Sequence, residues 1–182
     1  MKTIEIDGLT FELLISSHTI LQKVNSLSKT LMLKYQNNWP LCLIVLNGAA
    51  VFAAELLKDI DSSLCEISVV KAHSYDGVKS REKVFIDYLP YDLIKNRDIL
   101  LIEDIVDSGL TINVLKKELK KHGAKNIECV TLLFKPSEYQ YSIDPEHIGF
   151  ILGQEFVVGY GLDFNEKGRN LADIYKNTVY SN

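Results

Sequence analysis

Two stretches of the chain are apolar without a break: LCLIVL at Leu41–Leu46 and ILLI at residues 99–102. A strand with one face in water alternates apolar and polar side chains. An unbroken apolar run therefore marks a strand covered on both faces. Residues 127–134, IECVTLLF, read as a further strand. Helical spacing separates these runs. Ser16 and Ser17 can cap a helix whose Ile20, Val24, Leu27, Leu31 and Tyr35 fall on one stripe. Residues 49–60 read as a second helix. Residues 110–122 read as a third, with Ile112, Leu115 and Leu119 inward and Gly123 closing it. Residues 64–71 and 83–89 read as strands on either side of a polar stretch, and short apolar pieces follow at 148–152 and 155–158. Buried strands alternating with amphipathic helices predict an α/β fold, a mostly parallel central sheet flanked by helices. In such a sheet, ligands bind beyond the carboxyl ends of the strands.

With 182 residues, no internal repeat and no low-complexity linker, residues 1–182 are expected to form a single domain. That length buries roughly two-thirds of the unfolded surface, so neither disulfides nor a structural metal are needed. The chain carries 24 acidic and 20 basic residues, a net charge of −4. A nucleic-acid partner is disfavoured, because phosphate-tracking proteins carry a basic excess. Cys42, Cys65 and Cys129 lie in apolar surroundings with no CxxC pair, and read as buried small hydrophobes in a reducing cytosol. The first residues, MKTIEIDGLTFELLISS, include Glu5, Asp7 and Glu12 and lack the order of a signal peptide. The most apolar segment, residues 41–57, is short for a bilayer and contains Asn47, Gly48 and Glu55. The expected location is cytoplasmic, with no membrane partner.

The segment ILLIEDIVDSGLTI, residues 99–112, carries the most chemistry. An apolar strand runs into Glu103 and Asp104, and then into Asp107, Ser108, Gly109, Leu110 and Thr111, where the next helix begins. A helix start leaves backbone N–H groups unpaired and adds partial positive charge, which suits a phosphate. Ser108 and Thr111 can add hydroxyl donors, and Gly109 lets the ligand approach closely. No Gly-Lys-Ser/Thr follows, so the turn is not a Walker A loop. Three carboxylates beside a phosphate make sense if the ligand also bears hydroxyls, which Glu103 and Asp104 would accept. The plainer alternative is that the three are solvated loop acids with capping duties.

This segment resembles the phosphoribosyl pyrophosphate (PRPP) motif of type I phosphoribosyltransferases. Three more segments resemble the hypoxanthine-guanine branch of that family. VLNGAAVFAAELL, from Val45, resembles the pyrophosphate-binding loop, which implies a cis peptide between Leu46 and Asn47 and pyrophosphate contacts at Leu46, Asn47 and Gly48. Many members have lysine where this chain has Asn47, so one charge is missing. Ser74 and Tyr75 match the Ser-Tyr pair of the family's mobile lid. LLFKPS, residues 132–137, and EFVVGYGLDFNEKGRNL, residues 155–171, match the base-binding segments. The resemblance implies that Lys135 donates to the purine 6-oxo oxygen, that Phe156 stacks on the base, and that the Val157 carbonyl reads the ring edge. It also implies that Arg169 contacts pyrophosphate and that Asp163, with Glu103 and Asp104, helps hold Mg2+. The implied fold adds a small hood and the lid loop to the central sheet. The implied assembly is a homodimer or homotetramer.

The implied reaction transfers the phosphoribosyl group from PRPP to hypoxanthine or guanine, giving IMP or GMP and pyrophosphate, a purine-salvage step. Asp107, at the turn where the base meets the sugar, is the candidate for moving the N7 proton. Rival readings are a xanthine-preferring enzyme, a PRPP-sensing regulator without catalysis, and a PRPP synthetase. A regulator would be expected to carry a basic face, and a synthetase needs an ATP site and a second domain.

Overall fold

The computed structural model describes residues 2–36, 38–61, 63–75 and 83–179; for residues 73–75 and 83 it describes the backbone only. Its elements are β1 (Thr3–Ile6), β2 (Leu9–Ile15), α1 (Ser17–Tyr35), β3 (Leu41–Leu46), α2 (Ala50–Leu57), β4 (Ile67–Tyr75), β5 (Lys83–Tyr88), β6 (Ile99–Val106), α3 (Leu110–Lys121), β7 (Ile127–Phe134), β8 (His147–Ile151), β9 (Val157–Val158) and β10 (Ile174–Asn177). Six strands form the central sheet in the order β5-β4-β3-β6-β7-β8. All its pairings are parallel except β4 with β5 at one edge.

The apolar runs do what their composition requires. Leu41, Leu43 and Val45 of β3 pack on the side of α3, with Ile112, Leu115 and Leu119. Cys42 and Ile44 point the other way, to α1 and α2, where Ile20, Val24, Leu27 and Leu31 meet Phe52 and Leu56. Leu100 and Ile102 join that second cluster, and Ile99 and Leu101 the first. Both faces are therefore dry, and an alternating sequence could not serve. The Ser16 hydroxyl caps α1 by accepting from the Thr19 amide at 3.3 Å.

Several boundaries differ from the sequence reading. β6 continues beyond residue 102 to Val106, because β7 runs alongside it as far as Phe134 and pairs Glu103 with Thr131, Ile105 with Leu133 and Val106 with Phe134. Glu103 and Asp104 thus lie within the strand that was expected to end at Ile102. β4 starts later and runs on to Tyr75, because β5 pairs back onto it and takes up residues 73–75. α2 ends at Leu57, and the strand expected over residues 155–158 shrinks to Val157–Val158. Cys42 and Cys129 are buried, but Cys65 is partly exposed, since it precedes the start of β4.

A second sheet, β1-β2-β10-β9, forms the hood, and its strands β1, β2 and β10 were not among the predicted elements. β1 and β2 are a hairpin whose two-residue turn, Asp7-Gly8, has φ of 49° and 80°. Positive φ at both turn residues matches the twist of paired strands, which is why Asp-Gly is favoured there. Phe11, Val158 and Tyr175 form the small core of this sheet.

Asp173 ties the hood to α1. Its carboxylate accepts from the Ser17 amide at 2.7 Å, the Lys2 ammonium at 2.5 Å and the Tyr175 hydroxyl at 3.1 Å. These donors, the Lys2 ammonium first, hold its acidity down at about 2, against an ordinary value of 3.8. A depressed carboxylate adds stability above its unfolded value and loses it as pH falls through its folded value. Asp173→Asn is therefore expected to destabilise the fold by about 1–3 kcal/mol at neutral pH. The difference from wild type should shrink between pH ~4 and ~2, read by urea unfolding across that range.

Candidate active site

The site lies where the parallel rule places it, at the carboxyl ends of β3, β6 and β7. β6 delivers Glu103 and Asp104, both buried to below a tenth exposure. Burial pushes the Glu103 carboxyl well above the ordinary carboxylate range, and the adjacent Asp104 charge adds to this. Burial raises Asp104 too, while hydrogen bonds with Glu103 and the Ile105 amide and the Arg169 charge offset part of it. Asp104 Oδ1 accepts from the Ile105 amide at 2.9 Å.

Beyond Asp107 the chain turns at Gly109, with φ of 81°, and enters α3. The first bond of α3 runs from the Asn113 amide to the Gly109 carbonyl at 3.0 Å, so the amides of the preceding turn project from the helix end. Ser108 Oγ accepts from the Leu110 amide at 3.4 Å. A Cβ on Gly109 would stand 2.3 Å from the Tyr139 ring and 2.9 Å from that of Tyr141. The Gln140 amide also donates to the Ser108 carbonyl at 3.1 Å. The segment after β7 thus walls this turn, a role for Tyr139 and Tyr141 that the sequence reading missed.

The turn after β3 meets the acids. The Leu46–Asn47 peptide is cis, as the resemblance implies. A Cβ on Gly48 would lie 1.8 Å from Asp104 Oδ2, so the loop and the acid are in direct contact. A third loop closes on both: a Cβ on Gly161 would lie 2.0 Å from the Gly48 carbonyl oxygen. Arg169 braces this loop, donating to the Gly161 carbonyl at 3.0 Å and pairing with Asp163 at 2.8 Å and Glu166 at 2.9 Å. Leu46, Asn47, Gly48, Asp104, Gly161, Asp163 and Arg169 therefore form one neighbourhood. Gly161 is a member that sequence reasoning did not single out; its signal was the Gly-Tyr-Gly run within the segment 155–171.

Lys135 and Asp107 form an ion pair at 2.9 Å. The Lys135 amide donates to the Val106 carbonyl at 3.0 Å, so the pair spans the ends of β6 and β7. Phe156 stands at the hood's edge, its ring 6.2 Å from Phe11 and 5.8 Å from Phe164. Val157 is buried and pairs with Lys176 of β10. The backbones of Ser74 and Tyr75 extend β4, opposite Val84 and Lys83, instead of lying in a loop. Their side chains and the rest of the expected lid, residues 76–82, lie outside the described residues. Among the described residues, no three His, Cys, Asp or Glu side chains converge as a ready-made metal cage. No helix among them is long and apolar enough to cross a membrane.

Comparisons with known proteins agree with this geometry. The profile of the phosphoribosyl transferase domain matches residues 14–165. The hypoxanthine-guanine phosphoribosyltransferase of Bacillus subtilis (strain 168) is 42% identical over 173 residues, 93% of this chain and 95% of that one. That of Lactococcus lactis subsp. lactis (strain IL1403) is 39% identical over 179 residues, 97% of each. Among solved structures, a hypoxanthine phosphoribosyltransferase from Staphylococcus aureus superposes with a TM-score of 0.85 at 35% identity, covering 94% of both chains. A phosphate-type turn, a loop seated on a buried acid and a lysine at the neighbouring strand end agree with that likeness: the chain belongs to the phosphoribosyltransferase family, among the hypoxanthine-guanine phosphoribosyltransferases.

Proposed function

We propose that the protein transfers the 5-phosphoribosyl group of PRPP to hypoxanthine and guanine, releasing pyrophosphate with IMP or GMP. The observation that carries this reading is the stacking of the Gly161 turn on Gly48 and of Gly48 on the buried Asp104, with the Lys135–Asp107 pair at the ends of the neighbouring strands. Glu103 and Asp104 are buried acids with few protein donors, and the ribose hydroxyls supply the missing partners. The 5′-phosphate takes the turn from Ser108 to Thr111, where α3 presents its amides. Pyrophosphate lies on the backbone of Leu46, Asn47 and Gly48, and Arg169 offsets its charge. Asn47 contributes no charge there, so the backbone and Arg169 carry more of the load. The base enters beneath the hood, with Phe156 on its face, the Val157 carbonyl at its edge and Lys135 on its 6-oxo oxygen. Asp107 accepts the N7 proton as N9 bonds to the anomeric carbon.

Glu103, Asp104 and Asp163 are the carboxylates that would hold Mg2+, which would offset charge on the pyrophosphate. Magnesium keeps water and phosphate ligands and takes few from protein. Residues 1–182 act as one domain, the central sheet handling PRPP and the hood handling the base. The assembly is a homodimer or homotetramer, and the location is cytoplasmic.

The test is an assay with PRPP and Mg2+ offering hypoxanthine, guanine and xanthine separately. IMP and GMP are expected. Folded protein that forms no nucleotide from any of the three would overturn the assignment. Xanthine outpacing the other two would move it to a xanthine-preferring enzyme.

A further inference from the structure

The Lys135–Asp107 ion pair joins the two residues that the proposed function gives different tasks, one to recognise the base and one to take its proton. We propose that this pair is a latch: Lys135 holds Asp107 until the 6-oxo group of a bound base draws the ammonium away. The latch rests on the functional reading above and deepens it.

The asymmetry of the pair supports it. The Lys135 side chain is 10% exposed and that of Asp107 50%. A charge out of water needs a partner, whereas a half-exposed carboxylate can turn to solvent. The ammonium therefore stays on Asp107 Oδ2 until another acceptor reaches it. A 6-oxo oxygen is such an acceptor. A bare C6–H offers nothing, and a 6-amino group offers donors. The backbone bond between Lys135 and Val106 fixes the two strand ends, so the exchange is a swing of side chains alone.

While the latch is closed, Asp107 Oδ2, a carboxylate oxygen needed for the N7 proton, is engaged as the acceptor of a hydrogen bond from Lys135. Once it opens, the N7 proton passes to Asp107, N9 bonds to the anomeric carbon, and the electron pair of the broken C–O bond leaves with pyrophosphate. Recognition of the 6-oxo group would then raise the rate on the enzyme as well as the affinity. Lys135 is in this respect a positioning residue that acts through Asp107.

Single-turnover rates at saturating PRPP, Mg2+ and base separate this from simple base binding. Hypoxanthine is compared with unsubstituted purine, which lacks the 6-oxo group. Wild type should convert bound purine more slowly than bound hypoxanthine. Lys135→Met, of similar volume, should raise the rate with purine by about ten-fold or more, the scale of one charge-assisted hydrogen bond. With hypoxanthine it should weaken binding. Adding Asp107→Asn should abolish the gain with purine. An unchanged or lower purine rate in Lys135→Met would overturn the latch. If that variant does not fold, Lys135→Gln carries the same expectation. If neither folds, equal wild-type rates for the two bound bases overturn it and a slower purine rate supports it. Wild type that makes no IMP overturns the functional reading instead.

Discussion

Asp107→Asn is expected to slow formation of IMP on the enzyme by ~10²–10⁴-fold, the usual span for a general acid–base group. The substitution keeps the size of the side chain and one hydrogen-bonding oxygen, and removes the negative charge and the capacity to take a proton. Asp107 is half-exposed and lies outside the buried clusters, so the fold should tolerate the change. PRPP affinity should change far less, because the phosphate is assigned to amides of the Gly109 turn and the ribose to Glu103 and Asp104. Single-turnover kinetics isolate the chemical step from product release. A wild-type rate across the pH range would make Asp107 a capping residue and send the search for the proton acceptor elsewhere.

The second large effect is expected at a residue that touches no substrate in this scheme. Gly161 has φ of 104°, and a Cβ there would lie 2.0 Å from the Gly48 carbonyl oxygen. Alanine is strained in that backbone region, and the atom it would strike belongs to the backbone and cannot rotate away. The pyrophosphate loop, the Gly161 turn or both must shift, and Gly48 itself rests on Asp104. A displacement near 1 Å of positioning groups can cost ~10²-fold in rate. Gly161→Ala should therefore lower kcat/KM for PRPP by about that factor, with a rise in the KM for PRPP larger than that for the base. Unchanged PRPP kinetics in a folded variant would show that the two loops are not coupled in function.

Legibility from sequence varied with how each element is held. β3 and β7 have the bounds read from their composition, because strands buried on both faces write their environment into every residue. The cap of α1 at Ser16 was legible for the same local reason. The hood was not, although its hairpin has the Asp7-Gly8 turn that signals one. β1, β9 and β10 have four residues or fewer, and β10 finds one of its two partners at the other end of the sequence. The candidate acids were visible from their spacing, but their burial was not. The strand was expected to end at Ile102, and pairing with β7 carries it past Glu103 and Asp104 to Val106. The Tyr139 wall and the Gly48–Gly161 contact are tertiary, set by loops that no local pattern connects.

The hood strand order has a consequence for how the molecule comes together. β10 lies between β2 and β9, with Asn177 opposite Phe11. Contacts so distant along the chain form late, since closing the intervening loop is entropically unfavourable until other structure has shortened it. Neighbouring strands of the central sheet, such as β6 and β7, are joined by a single helix and can pair far sooner. During synthesis the N-terminal hairpin must wait, exposed, for a partner that emerges only after every strand of the central sheet. The half of the molecule assigned to the sugar phosphate would thus be in place before the half assigned to the base, and a chain cut before β10 would hold the first without the second.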